Sequence, residues 1–162
     1  MKKSVLLFVV LSLFVFVVMA QAEVVTYVGG QAIVDGNNTD PFGGGMQIAW
    51  GMPFSDKLMG WLRYDGFKTE EALNFDNGLI ALTYMTPDVW PQLKMGMFAT
   101  GQGGVSKSDI TDSEWAFMGT LGFYFNVSTK MRLWVGYDYK DVAGGNRIYS
   151  FTAGLSAPVS IK

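Results

Sequence analysis

Beyond the first two dozen residues, hydrophobic and polar positions alternate along most of this chain with a period of two. The pattern is plainest between Glu114 and Lys140. Trp115, Phe117, Leu121, Phe123, Phe125 and Val127 fall on one parity, while Ala116, Met118, Thr120, Gly122, Tyr124 and Asn126 fall on the other. After a short polar stretch, Met131, Leu133, Val135, Tyr137 and Tyr139 share one face, and Arg132, Asp138 and Lys140 share the opposite face with Trp134 and Gly136. A period of two is the signature of a strand with two unlike faces, so this segment predicts a hairpin.

The same pattern predicts six further strands. Residues 42–52 set Met46, Ile48, Trp50 and Met52 against Gly45, Gln47, Ala49 and Gly51. Residues 57–67 set Leu58, Leu62 and Tyr64 against Arg63 and Asp65, and 77–86 set Ile80, Leu82 and Tyr84 against Ala81, Thr83 and Met85. In residues 92–101, Leu93, Met95 and Met97 oppose Lys94, Phe98 and Thr100. The last strand carries Tyr149, Phe151, Ala153, Leu155, Ala157, Val159 and Ile161 on one face. The first, 23–34, is rich in Val, Tyr and Ile, and its Gly29-Gly30 pair suggests a bulge. Short turns are expected after the even strands, as at 87–91, PDVWP, which cannot continue a ladder. Longer loops at 35–41, 68–76, 101–112 and 141–146 are expected after the odd ones.

Eight strands of about ten residues in this up-and-down order fit two architectures. A soluble lipocalin-like barrel would line its cavity with the apolar face and leave Arg63, Asp65, Lys94, Arg132 and Asp138 outside. A transmembrane barrel points the apolar face at lipid and encloses the polar one. The N-terminus favours the second. Its sequence MKKSVLLFVVLSLFVFVVMAQA joins two lysines to an apolar run too short for a spanning helix and ends in Ala-Gln-Ala. That is the form of a secretory signal peptide over 1–22, with a single barrel domain over 23–162.

Composition narrows the function. Removing Lys2 and Lys3 leaves 10 basic residues against 14 acidic ones, which excludes a nucleic-acid footprint. Without cysteine, an exported chain of this size is held by its sheet rather than by disulfides.

With eight strands counted, the chain resembles the small outer-membrane proteins of the OmpX, Ail and NspA type and, more distantly, the OmpA transmembrane domain. The segment GMPFSDKLMGWLRYDGF, residues 51–67, carries the resemblance together with the strand arithmetic. It implies residence in outer-membrane lipid, dependence on the outer-membrane insertion machinery, and a monomer. The chain departs from the type in ending on Ser160-Ile161-Lys162 where such barrels carry a terminal aromatic residue. Outer-membrane barrels also include acylases, phospholipases and proteases that use a catalytic histidine. This chain has no histidine, so that general-base chemistry is excluded, and without cysteine the thiol route is closed as well. The chain is therefore expected to be non-enzymatic and to need no cofactor.

The inward face predicts a structural charge network of Arg63, Asp65, Lys94, Arg132 and Asp138, because charges enclosed in a barrel must be paired. Met59, Trp61, Phe98 and Trp134 share the inward parity and are candidate apolar contacts for a small hydrophobic ligand in a narrow, OmpW-like conduit. The lipid-facing set is Ile48, Trp50, Leu62, Tyr64, Leu82, Tyr84, Met95, Trp115, Phe117, Leu121, Phe123, Phe125, Leu133, Val135, Tyr137, Tyr149 and Phe151. The loops hold Asp35, Asp40, Glu70, Glu71, Asp76, Asp109, Asp112, Glu114 and Asp141 against Lys68, Lys107 and Arg147, an acidic surface open to a ligand or protein partner. Neither DGNNTD at 35–40 nor KSDITDSE at 107–114 has the spacing of a calcium loop.

Overall fold

The computed structural model describes residues 24–36, 43–69 and 74–159. The expected leader with its Ala-Gln-Ala site, the acids Asp40, Glu70 and Glu71, and the C-terminal Ser160-Ile161-Lys162 lie outside the described residues. Eight strands run in order: β1 (Val24–Gly36), β2 (Gly43–Ser55), β3 (Leu58–Thr69), β4 (Asn74–Met85), β5 (Met95–Ser108), β6 (Glu114–Asn126), β7 (Arg132–Val142) and β8 (Asn146–Val159). Each pairs antiparallel with the next, and β8 pairs with β1, closing the barrel. Closure leaves no open sheet edge.

Burial alternates residue by residue, most cleanly in β4 and β5. The buried positions are those of the polar parity. Gln47, Asp65, Asn77, Asp138 and Lys140 are fully enclosed, while Trp115, Phe117, Leu121 and Phe151 are more than half exposed on the outside. This inverts the ordinary soluble arrangement, in which large apolar patches are covered and charges are solvated. No helix among the described residues is long and apolar enough to cross a membrane.

Four details differ from the sequence expectation. The glycine-rich stretch 101–104, read as the start of a long loop, belongs to β5. Gly101 pairs with Leu82 on one side and Gly119 on the other, so the ladder continues to Ser108 and the connection shrinks to 109–113. Glycine hides strand periodicity because it has no side chain to place on either face. Secondly, Lys94 is not in a strand. Pro91 opens a short 3-10 helix (Pro91–Leu93), and Lys94 caps it in the left-handed region at φ 50°, exposed on the surface. Thirdly, the register shift in β1 falls between Ile33 and Asp35 rather than at Gly29-Gly30. Gly29 stays in the ladder opposite Gly154, and a Cβ at either position would run into the ring of Tyr27. Finally, β7 and β8 are joined by a tight 3-10 turn, Ala143–Gly145, in which Gly144 and Gly145 take positive φ.

Candidate functional site

The lumen is built in layers. Its middle is a belt of two cations and two anions that balance: Arg63 and Asp65 from β3, and Asp138 and Lys140 from β7. Because residues two apart on a strand share a face, each strand contributes one positive and one negative group. Lys140 Nζ lies 2.5 Å from Asp65 Oδ2 and 3.5 Å from Asp138 Oδ2, and Arg63 Nη2 lies 3.7 Å from both carboxylates. Gln31 donates to Asp65 Oδ1 and accepts from Lys140 through Oε1. Gln47 donates to Asp138 Oδ2 at 3.2 Å. Lys140 also sits 5.0 Å from the centre of the Phe67 ring. These groups, drawn from four strands, bind opposite walls of the barrel together.

Apolar layers close the belt from both sides. Toward the loops, Phe67 stacks on Phe75 with ring centres 4.9 Å apart, and Leu79, Ile148, Ile33, Met118 and Val142 fill the space around them. Toward the turns, Trp134 meets Phe98 at 5.0 Å, Tyr124 at 5.7 Å and Trp61 at 6.2 Å. The indole nitrogens are satisfied: Trp61 Nε1 donates to Thr83 Oγ1 at 3.0 Å and Trp134 Nε1 to Ser156 Oγ at 2.7 Å. Met59 and Met85 complete this layer and form the floor of an open vestibule at the turn-side mouth. Between belt and floor, Trp61, Phe98 and Trp134 line a partly open cavity of about 50 Å³ together with Arg63 and several threonines.

No family model matches the chain, and no curated protein matches it. Solved structures do. Neisserial surface protein A is similar at TM-score 0.68 and 12% identity, over 84% of this chain and 96% of that one. The outer-membrane protein Ail of Yersinia pestis, in a phospholipid bilayer nanodisc, is similar at TM-score 0.57 and 8% identity, over 86% of this chain and 100% of that one. The fold is that of the small outer-membrane barrels. It closely matches the OmpX, Ail and NspA type. A de novo designed transmembrane barrel is also similar, at TM-score 0.53 and 15% identity over 85% of this chain and 96% of that one. Identities this low establish an outer-membrane barrel fold, and a fold of this kind does not by itself carry an activity.

Within this barrel, the expected lumen residues divide. Arg63, Asp65 and Asp138 meet in the belt, and Met59, Trp61, Phe98 and Trp134 line the layer below it. Lys94 lies outside the lumen in its turn. Arg132 stands at the turn-side mouth, where Nε donates to Asn126 Oδ1 at 3.0 Å and the guanidinium lies 5.5 Å from the Tyr124 ring centre. Its expected place against the aspartates is taken by Lys140. Parity put Lys140 on the inner face, but only the register between strands reveals that it, and not Arg132, stands level with Asp65.

The outer face carries the whole apolar set. Trp50, Tyr64, Leu82, Tyr84, Trp115, Phe117, Leu121, Phe123, Val135, Tyr137 and Phe151 are exposed, and Ile48, Leu62, Met95, Phe125, Leu133 and Tyr149 are half-buried between neighbours on the same surface. Tyr137 packs on Tyr149 and Phe151 at 6.0 and 5.3 Å. At the loop end several acids are engaged within the protein. Asp109 Oδ2 accepts from Asn74 Nδ2 at 2.6 Å, Glu114 Oε2 from the Gly144 backbone N–H at 2.8 Å, and Asp76 Oδ1 from the Tyr64 hydroxyl. The first two bonds tie a connection to a neighbouring strand end, and the third joins β3 to β4. Among the described residues, no cluster of carboxylates suited to a metal ion forms.

Proposed function

We propose that this chain is a non-enzymatic integral protein of the bacterial outer membrane, exported through a cleaved leader over 1–22, acting in envelope structure or in surface interaction through its short acidic loops. One observation carries the reading. The lumen is sealed by a balanced charge belt between two packed apolar layers, so the barrel interior offers neither an open pore nor room for a lipid-sized ligand. What remains available for surface interaction is the loop end of the barrel.

Two measurements test this. In planar bilayers the folded protein is expected to give no stable conductance; steady channels that change on Arg63 substitution would move the function to solute passage. Pull-down from envelope or host extracts tests the rim, with a variant in which Asp40, Glu70, Glu71 and Asp112 become amides while the structural acids Asp76, Asp109 and Glu114 are kept. Exposed charges are screened over about 8 Å at physiological ionic strength, so capture by the native loops is expected to fall with salt and in the variant. Equal capture by both chains at low and high salt would remove the acidic rim as the binding surface.

A further inference from the structure

The turn-side vestibule beyond the Met59 and Met85 floor has a volume of about 510 Å³, a size suited to a small organic molecule. Its lining is apolar at Val25, Pro53 and Pro158 and cationic at Lys130 and Arg132, with Asp56 the one acid among the described lining residues. Arg132 stands apart from the other cations of the barrel interior. It is half-buried, its Nε donates to Asn126 Oδ1 at 3.0 Å, its Nη1 reaches the Met85 sulfur at 3.4 Å, and its guanidinium lies 5.5 Å from the Tyr124 ring centre. These contacts fix the plane of the fork. Yet among the described residues no carboxylate pairs with it, whereas Arg63 and Lys140 each meet two. Asp88 is held off, because its Oδ1 accepts from Asn126 Nδ2 at 3.2 Å and from the Tyr124 hydroxyl at 3.4 Å. The amide of Asn126 thus links acid and guanidinium without letting them pair.

We propose that this vestibule binds a small amphiphilic anion, with a carboxylate or phosphate head on Arg132, Lys130 beside it, and a short apolar body against Met59, Met85 and Val25. A guanidinium fork matches the oxygens of either head, and one whose orientation is already set loses little freedom on binding. The alternatives fit less well. A bare anion would leave the apolar lining in water, and a neutral apolar molecule would cover Arg132 and strand its charge. A cationic amphiphile would meet two positive side chains. Methionine is unbranched and polarisable, so the floor accepts bodies of differing shape and selection falls on the head. The wider field agrees. Among the described residues of the turns and strand ends on this side, Lys57, Lys94, Lys130 and Arg132 stand against Asp56 and Asp88, the reverse of the acidic loop end, so anions are drawn to this mouth. The site needs no passage through the charge belt and does not depend on what the loops bind.

Hexanoate and hexyl phosphate, titrated by NMR against the full folded chain in phosphatidylcholine nanodiscs, test the assignment, with hexanol and inorganic phosphate as controls for tail and head. Saturable shifts are expected at the Arg132 Nε–H and at the Met59 and Met85 methyls, beyond the partition into lipid that the outward Leu121 methyls read. Arg132→Gln should weaken both anionic probes by about tenfold and leave the hexanol response unchanged, since it removes a charge-assisted contact and no apolar one. A response to only one of the two anions supports the site and assigns its head. Equal responses to hexanol and the anions would overturn the proposal in favour of an uncharged apolar pocket. Inorganic phosphate shifting Arg132 as strongly as hexyl phosphate would overturn it in favour of a plain counter-ion contact, and no saturable shift with either anion would overturn it outright. The native-chain titrations decide the matter even where Arg132→Gln does not fold, and Lys130→Gln, at an exposed turn position, gives a second variant in which anion binding should fall.

Discussion

Replacing Leu121 with arginine is expected to cost about 2–4 kcal/mol of folding stability in lipid vesicles, while replacing Ile110 with arginine is expected to cost about 0–1 kcal/mol. The pair is informative because the two side chains are almost equally exposed, 68% for Leu121 and 74% for Ile110. In a water-soluble barrel, exposure would predict near-neutral effects at both. In a membrane, position along the barrel axis decides. Leu121 lies midway along β6, where an arginine must leave water for hydrocarbon, whereas Ile110 lies in the 109–113 connection beyond the strand ends. Urea titration of vesicle-inserted protein reads the difference, and equal tolerance at the two sites would contradict the lipid-facing assignment.

Lys140→Met should be as severe, about 3–5 kcal/mol, for the opposite physical reason. Methionine keeps most of the side-chain volume but removes the cation that stands against Asp65 and Asp138, both enclosed at 1% exposure or less. The loss is dominated by the stranded negative charge rather than by the value of the pair. Adding Asp65→Asn restores a belt of one cation and one anion, so the double variant should recover a large part of the loss. Stabilities of the two single variants and the double variant, measured by the same titration, give the coupling. Additive effects, with no recovery, would show that Lys140 is not bonded as described.

The eight strands and the two faces were legible because strand pairing in a closed barrel imposes strict alternation, which Trp115, Phe117, Leu121, Phe123 and Phe125 follow on the outer face while Met118 and Tyr124 are the large residues turned inward. The belt was only half legible. Parity selects the inner face, but the height of a side chain along the axis depends on the register of every intervening pair, and no local pattern encodes that. Arg132 and Lys140 share a face on β7 yet stand at opposite ends of it, one at the mouth and one beside Asp65. The same limit hid the glycine-rich half of β5, whose identity as strand rests on its neighbours Leu82 and Phe117 rather than on its own residues. Lys94 was misplaced because Pro91 starts a helical turn that delays β5 to Met95. The cavity below the belt had one sequence signal, large apolar residues on a polar face, and it could not distinguish packing from an enclosed space.

The central claim is that the apolar face of this barrel needs lipid. Diluting the urea-unfolded chain of residues 23–162 into phospholipid vesicles, and in parallel into plain buffer, tests it most directly, with circular dichroism and unboiled gel mobility as readouts. The account predicts a β-type spectrum and a heat-sensitive, compact band with vesicles only. A folded monomer that is stable in buffer without lipid or detergent would contradict it.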